Sequence, residues 1–360
     1  MKIKGFQTIK QYIITGVIGI LGGVIFKLLH IPVPWLLGPM VAIVIGTNGF
    51  KWEFTWNAYL RNIGLAIIGY TIGLSMTAQA LKSVATQIPY MFFMTVTLLL
   101  LCAVIALFIS KVSDNNFNTS LLASMPGGLS QVLILAEETK GINLAVVTIT
   151  QITRLMLIIV SMPILVLFPF FQGGGQVTSS VELAKTSDVS LFPSIFLFIA
   201  VALIFIYLFV KIKFPTAVLL GPMLGTILLQ LAGINGPELP NFLTNSAQLL
   251  IGIHVGLMLN IADVPNKLRT ITLAFLSGIL LVTGSILLSF LLTYLQPLSH
   301  ATSLLSLAPG GMDQMGVIAH AIGADLSIVS GYQLFRTFFI FFAVPPMVKW
   351  FFSRTNNNVT

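Results

Sequence analysis

Charged residues are scarce in this chain of 360 residues. They make up 8% of the composition, against about 25% in a typical soluble domain. Hydrophobic residues make up 56%, the mean hydropathy is +1.00, and no polar stretch is long enough to form a separate soluble domain. The composition therefore predicts an all-α polytopic membrane protein that meets the lipid bilayer over most of its surface.

Several chemical motifs are also missing. The single cysteine, Cys102, excludes a disulfide within the chain, and no Walker-A pattern indicates ATP-driven pumping. The four histidines are scattered without metal-ligand spacing: His30, His254, His300 and His320. No nucleophile lies beside an obvious base. We therefore expect no enzymatic activity, no metal and no cofactor.

Most of the sequence consists of two similar halves. They align at a shift of 183 residues, which becomes 182 after one deletion. The matching groups include the Gly-Pro-Met boxes at 38–40 and 221–223, the Pro-Gly-Gly boxes at 126–128 and 309–311, Gln131 with Gln314, Gln151 with Gln333, and Arg154 with Arg336. The alignment predicts a first membrane repeat over 1–170, an external linker over 171–190, a second membrane repeat over 191–354 and a polar tail over 355–360.

Each half contains six apolar segments, and Pro-Gly-Gly interrupts the fifth. Such a segment is either a kinked spanning helix or a re-entrant hairpin. If every segment spans, the lysines and arginines outside the membrane divide 9 to 7 between the two sides. If the interrupted segments are hairpins, the division is 13 inside to 3 outside, as the positive-inside rule requires.

The charge distribution therefore predicts two inverted repeats, each with five transmembrane helices and one re-entrant Pro-Gly-Gly hairpin. Both termini would be cytoplasmic, in a multi-pass protein of the bacterial inner membrane. The net charge of +8 does not predict nucleic-acid binding, because the basic residues lie scattered at the ends of apolar segments.

Arg154 and Arg336 lie in the middle of apolar segments. Each is eleven residues from the start of its predicted helix, or roughly 16 Å at 1.5 Å per residue, near the centre of a ~30 Å hydrocarbon core. An arginine at that depth needs a partner or a water-filled cavity, since it cannot lose its proton. Two interpretations stay open: the arginines bind an anion, or each caps carbonyl groups at the broken end of its own hairpin.

The predicted substrate site combines these arginines with the hairpin tips. A helix that ends inside the membrane presents free N–H groups to an anion, and glycine permits a close approach. The candidate substrate-binding residues are Arg154, Arg336, Gln151, Gln333, Pro126, Gly127, Gly128, Gln131, Pro309, Gly310, Gly311 and Gln314. Asp313 is a candidate coupling site for H⁺ or Na⁺, and it could equally cap a half-helix or pair with an arginine.

Two fingerprints, MPGGLSQVLILAEETKG and LAPGGMDQMGVIAHAIGADLSIVSGYQLFRTFF, resemble those of the AbrB-type duplicated membrane proteins, as do the two LLGPM boxes. The resemblance covers nearly the whole chain. Members of that family carry labels such as ammonia monooxygenase or regulator of gene expression. The predicted layout is also similar to that of elevator-type carriers of citrate and glutamate, which is an analogy of architecture alone.

We therefore expect a secondary transporter of a small organic anion, with an elevator-like movement and a homodimer left open. The alternative is a membrane-embedded regulator or assembly factor that influences gene expression through a soluble partner, without a transport cycle. A metal-dependent oxidase is a third class, and purified protein of that class would contain copper or iron.

Overall fold

The computed structural model of the chain describes residues 2–31, 33–113, 116–126, 129–139, 141–168, 171, 191–212, 214, 216–258 and 267–357. Fifteen helices and no strand lie within these ranges. The first half forms α1 (Lys2–Leu28), α2 (Pro34–Asn48), α3 (Ala58–Ser75), α4 (Ala78–Thr86), α5 (Ile88–Val112), α6 (Phe117–Ser124), α7 (Leu129–Glu138) and α8 (Leu144–Leu167). The second half forms α9 (Leu191–Lys211), α10 (Ala217–Leu231), α11 (Asn241–Leu257), α12 (Lys267–Leu295), α13 (His300–Leu307), α14 (Met312–Ile322) and α15 (Leu326–Asn357).

The helices repeat as the sequence does. Shifting the bounds of α2 by 183 residues gives those of α10, and shifting α6 in the same way gives α13. Each fifth apolar segment consists of two helices separated at Pro-Gly-Gly, because proline offers no N–H to continue the helix. We call α6 with α7 the first broken segment, and α13 with α14 the second.

Among the described residues, five helices are long and apolar enough to cross a membrane, and a sixth crossing results if α3 and α4, bent by 86°, form one span. The five spans lie within α1, α5, α8, α12 and α15. The described chain is therefore a multi-pass membrane protein. The predicted total of ten spans stays a prediction, because helices such as α2, with 15 residues, rise only about 22 Å against a ~30 Å core.

The contacts divide the chain into two units, and each unit combines parts of both sequence repeats. Unit 1 comprises residues 1–85, 176–263 and 316–327, and unit 2 comprises residues 86–175, 264–315 and 328–360. The predicted external linker at 171–190 lies outside the described residues, apart from Phe171.

Within unit 1, the third helix of each half packs closely on the second helix of the other half. A Cβ added to Gly69 of α3 would lie 2.2 Å from the carbonyl oxygen of Leu219 in α10. A Cβ added to the matching Gly252 of α11 would lie 2.4 Å from the carbonyl oxygen of Leu36 in α2. These two glycines permit a backbone approach that no other residue allows, and the contact occurs once in each direction.

Gly69→Ala is expected to lower the stability of the protein by roughly 1–3 kcal/mol, because the methyl group must displace backbone at α10. The thermal midpoint of the purified protein in detergent measures this loss. Gly16→Ala is the matched control, since its Cβ would meet nothing closer than the Trp56 ring, at 3.9 Å. Equal midpoints for the two variants would contradict the packing described for unit 1.

Unit 2 contains α5, α6, α7, α8, α12, α13, α15 and the start of α14. Helices α5 and α12 pack against each other, with Leu98 and Leu281 buried between them. Ile340 and Val344 of α15 lie in one apolar cluster with Leu122 of the first broken segment. Each half of the sequence therefore supports the other half inside this unit.

Candidate functional site

Gln151 and Arg154 of α8 bind the carbonyl groups at the end of α6. The side-chain amide of Gln151 donates to three carbonyl oxygens, those of Leu122 (3.0 Å), Ala123 (3.2 Å) and Met125 (3.1 Å). Arg154 Nη1 donates to the carbonyl oxygens of Ser124 (3.4 Å) and Met125 (2.6 Å), and its Nη2 donates to Gln151 Oε1. The spacing of three residues places both side chains on the same face of α8, toward α6.

The second half repeats this arrangement at the matching positions. Gln333 donates to the carbonyl oxygens of Leu305 (2.8 Å), Ser306 (3.5 Å) and Ala308 (3.1 Å). Arg336 donates to the carbonyl oxygens of Leu307 (3.4 Å) and Gly310 (3.0 Å), and also to Gln333 Oε1. The glutamine contacts are therefore the same in both halves, whereas Arg154 reaches the carbonyl oxygen of Met125 and Arg336 that of Gly310.

Proline explains why these carbonyls need side-chain partners. In a continuous helix the carbonyl of Leu122 would accept from the N–H of residue 126, and that of Leu305 from residue 309. Both residues are proline, Pro126 and Pro309, and have no N–H to give. The glutamine amide replaces the missing donor, and the arginine adds positive charge where a helix end is partly negative.

These contacts show the capping interpretation that the sequence left open for Arg154 and Arg336. They do not include a ligand, so direct contact between either arginine and an anion stays a prediction. The sequence did indicate a relation between these residues and the broken segments, since each Pro-Gly-Gly is followed by a Gln-x-x-Arg at nearly the same distance. The distance alone did not decide whether the donors face a substrate or the chain's own carbonyls.

The two guanidinium groups carry positive charge without an acidic partner among the described residues. Arg154 is 2% exposed and Arg336 is 5% exposed, and all their hydrogen-bond partners are neutral oxygens. In addition, Arg154 Nε is buried without a hydrogen-bond partner. Uncompensated buried charge is costly, so this part of unit 2 favours an anion.

The start of α14 is capped by its own first turn. The backbone N–H of Gly311 donates to Gln314 Oε1 (2.9 Å), and Gln314 Nε2 donates to Asp313 Oδ2 (2.9 Å). A Cβ at Gly311 would lie 2.3 Å from oxygens of both side chains, so a larger residue there would displace these two side chains from the cap. Asp313 therefore holds the capping glutamine in place, whereas its coupling to H⁺ or Na⁺ stays a prediction. Gly127, Gly128 and the side chain of Gln131 lie outside the described residues.

A set of buried hydroxyl groups was not predicted from the sequence. Within the described ranges, four serine hydroxyls in unit 2 are buried without a hydrogen-bond partner: Ser120, Ser303, Ser306 and Ser330. Ser120 and Ser303 occupy matching positions on α6 and α13, which is the signal that could have revealed them. No group of three metal-ligating side chains occurs in the part of the chain that the structure describes.

Comparisons with known proteins agree with the resemblance. A family described as "Transition state regulatory protein AbrB" matches residues 35–352. The chain is 24% identical over 345 residues to "Uncharacterized protein YhjN" of Bacillus subtilis (strain 168), covering 91% of this chain and 90% of the relative. It is 24% identical over 335 residues to "Putative regulator AbrB" of Escherichia coli (strain K12), covering 93% of this chain and 94% of that relative. With the family match extending over most of its length, the chain belongs to the AbrB family.

Proposed function

We propose that this protein is a secondary transporter of a small organic anion. The observation that carries the proposal is the pair of buried guanidinium groups in unit 2, for which the described residues supply no negative charge. Buried arginines are costly in a membrane, and they are usually retained where an anion or an ion pathway passes. A mobile carboxylate that enters beside Arg154 and Arg336 would supply the missing charge.

The proposed topology is that of two inverted repeats with re-entrant hairpins at the broken segments. Two observations support it. The basic residues divide 13 to 3 only in this arrangement. In unit 1, Gly69 meets Leu219 as Gly252 meets Leu36, and such a reciprocal contact is what a two-fold relation between the halves produces. Both termini would then be cytoplasmic, and the membrane would be the bacterial inner membrane.

The proposed transport cycle is elevator-like, with unit 2 as the carrier of the anion. Unit 2 contains both arginines, both glutamines of the caps and the two Pro-Gly-Gly boxes. The end of the second broken segment, from Gly316 to Ile322, belongs instead to unit 1. Inverted repeats with broken helices are a common way to build such carriers.

Uptake into proteoliposomes tests the proposal. Purified protein is first screened for thermal stabilisation by small mono-, di- and tricarboxylates, and each stabilising compound is then offered in radiolabelled form. We expect saturable uptake that exceeds that of protein-free vesicles and that depends on a gradient of Na⁺ or H⁺. Matched amines are the control substrates. Absence of both stabilisation and uptake across the panel would contradict the transporter.

The family description and one relative's name favour a second candidate, a membrane-embedded regulator acting through a soluble partner. Affinity purification from membranes separates the two functions. A regulator without a transport cycle would retain a stoichiometric soluble partner and show no uptake of any anion in the panel. A transporter would show uptake from lipid vesicles that contain no other protein.

A further inference from the structure

A small cavity lies inside unit 2, beside the first broken segment. Its volume is about 20 Å³, enough for one water molecule or one monatomic ion. Five of the residues around it carry hydroxyl groups: Ser120, Ser124, Thr150, Thr270 and Ser277. The remaining lining residues are aliphatic, and none of the ten is acidic or basic.

Ser120 gives the cavity an unused hydrogen-bonding group. The residue is 3% exposed, and its hydroxyl has no partner among the described residues. By contrast, Ser277 already donates to the carbonyl oxygen of Ala274 at 2.8 Å. A buried hydroxyl without a partner is unfavourable by itself, so a bound group that accepts its proton would relieve a real cost.

Arg154 lies close to three of the hydroxyl-bearing residues of this cavity. Thr150 lies one turn before Arg154 on the same face of α8. The carbonyl oxygen of Ser124 accepts a hydrogen bond from Arg154 Nη1 at 3.4 Å. Next to Ser277, a Cβ on Gly278 would lie 3.8 Å from Arg154 Cα. One hydroxyl-bearing residue from each of the helices α6, α8 and α12 therefore lies near this arginine.

Two residues that line the cavity have counterparts with larger side chains at the matching positions of the repeat. Thr150 corresponds to Tyr332, and Thr270 corresponds to Gln87. Tyr332 Oη donates to Gln87 Oε1 at 3.0 Å, and both residues are buried. Where Thr150 and Thr270 leave space, Tyr332 and Gln87 form a hydrogen-bonded pair. The broken segments are therefore alike at their caps and different in this neighbouring space.

We propose that this hydroxyl-lined cavity binds a single anionic atom, either a halide ion from solution or one carboxylate oxygen of a transported substrate. The inference rests on the proposed function only for the second of these sources. Hydroxyl groups donate to an anion, and Arg154 supplies the positive field in a region of low dielectric constant. A cation is disfavoured there, because no described carboxylate lines the cavity and the adjacent charge is positive.

Thermal stabilisation of the full chain in lipid nanodiscs tests the cavity. Sodium gluconate is replaced stepwise by sodium chloride, or by sodium formate, at constant ionic strength. We expect a saturable rise of the melting temperature for the wild type. The concentration for half the rise should increase about ten-fold in Ser120→Ala and in Thr150→Val, since each variant removes one hydrogen bond to a charged group.

Ser303→Ala is the matched control, because it removes the equivalent buried hydroxyl from the other half. It should respond to both anions as the wild type does. Thr150→Tyr introduces the residue of the second half and should abolish the response. Identical responses in the wild type and all four variants would overturn the proposal, and so would a response to sodium against choline with no dependence on the anion.

Further measurements separate the sources and the proposals. If chloride and a transported carboxylate compete for stabilisation, the substrate itself uses the cavity; additive stabilisation identifies a separate halide. If Ser120→Ala retains uptake and an unchanged anion response, the cavity is not an anion site, and the proposed transport function still holds. If the wild type shows the anion response but takes up no substrate, the proposed transport function is wrong, and the cavity is still an anion site.

Discussion

Replacing either buried arginine with methionine is expected to reduce anion uptake by at least about thirty-fold. Losing one partner of a buried charge interaction costs about 2–5 kcal/mol, and each 1.4 kcal/mol is a factor of ten. Both side chains are buried within unit 2. Methionine has similar length and no charge, so the substitution tests the charge with little change in volume. Initial uptake rates in proteoliposomes measure the effect.

Lysine at the same positions separates attraction of the anion from capping of the helix. Arg154→Lys keeps a positive charge but loses the fork that reaches Ser124, Met125 and Gln151 together. We expect partial uptake with a lower melting temperature. If the arginines serve only as caps, uptake per folded molecule should be the same for lysine, methionine and wild type, and the three should differ in stability alone.

Lys111→Met controls for the loss of positive charge elsewhere in unit 2. Lys111 is exposed at the end of α5, where solvent screens its charge. Its replacement should leave uptake close to the wild-type rate at physiological salt. A loss of uptake equal to that of Arg154→Met would assign the effect to the net charge of the protein, and the buried position of the arginines would then lose its significance.

The internal repeat predicted most of the helix pattern. Proline, glycine, glutamine and arginine kept one register, so the bounds of α2 and α6 recur in α10 and α13. The break at each Pro-Gly-Gly followed from proline chemistry alone. The number of crossings was harder to predict, because apolar composition does not fix helix length, and the second apolar segment of each half forms a helix of only 15 residues.

The pairing of halves within each unit could not be predicted from local sequence. The contact between Gly69 and Leu219 joins residues 150 positions apart, and no periodicity of either helix identifies its partner. The groups that the arginine side chains contact could not be predicted from local sequence either. Helical spacing placed Gln151 and Arg154 on one face, but only the fold shows that this face meets the end of α6.

The hydroxyl-lined cavity escaped prediction for a different reason. Serine and threonine in membrane helices often donate to the carbonyl one turn earlier, as Ser285 does to Leu281. The sequence does not distinguish such a residue from Ser120, whose hydroxyl has no partner in the described structure. The difference depends on the neighbours that α8 and α12 supply, and those neighbours differ between the halves.

Loss of the capping glutamine should have the largest effect on stability. In Gln151→Leu the carbonyls of Leu122 and Ala123 lose their side-chain donor, and Arg154 loses the acceptor of its Nη2. Each buried polar group left without a partner costs about 1–3 kcal/mol, so a total of roughly 3–5 kcal/mol is expected. Gln333→Leu should behave in the same way. Thermal and denaturant unfolding in detergent measures both losses.

Gln230→Leu is the matched control, because this glutamine donates a single side-chain hydrogen bond, to the carbonyl of Leu74 at 3.1 Å. Its loss should cost about 1 kcal/mol. Equal losses for Gln151→Leu and Gln230→Leu would mean that the end of α6 finds other donors, such as water. The capping account of the Pro-Gly-Gly break would then be wrong.

Double variants test whether the glutamine and arginine of one half form a single cap. Gln151 and Arg154 share a hydrogen bond, and both donate to the carbonyl of Met125. The loss in Gln151→Leu with Arg154→Met should therefore differ from the sum of the single losses by about 0.5–3 kcal/mol. Gln151→Leu with Gln333→Leu should be additive, since no described hydrogen bond is common to both glutamines. Additivity within one half would indicate that the two residues stabilise the broken helix independently.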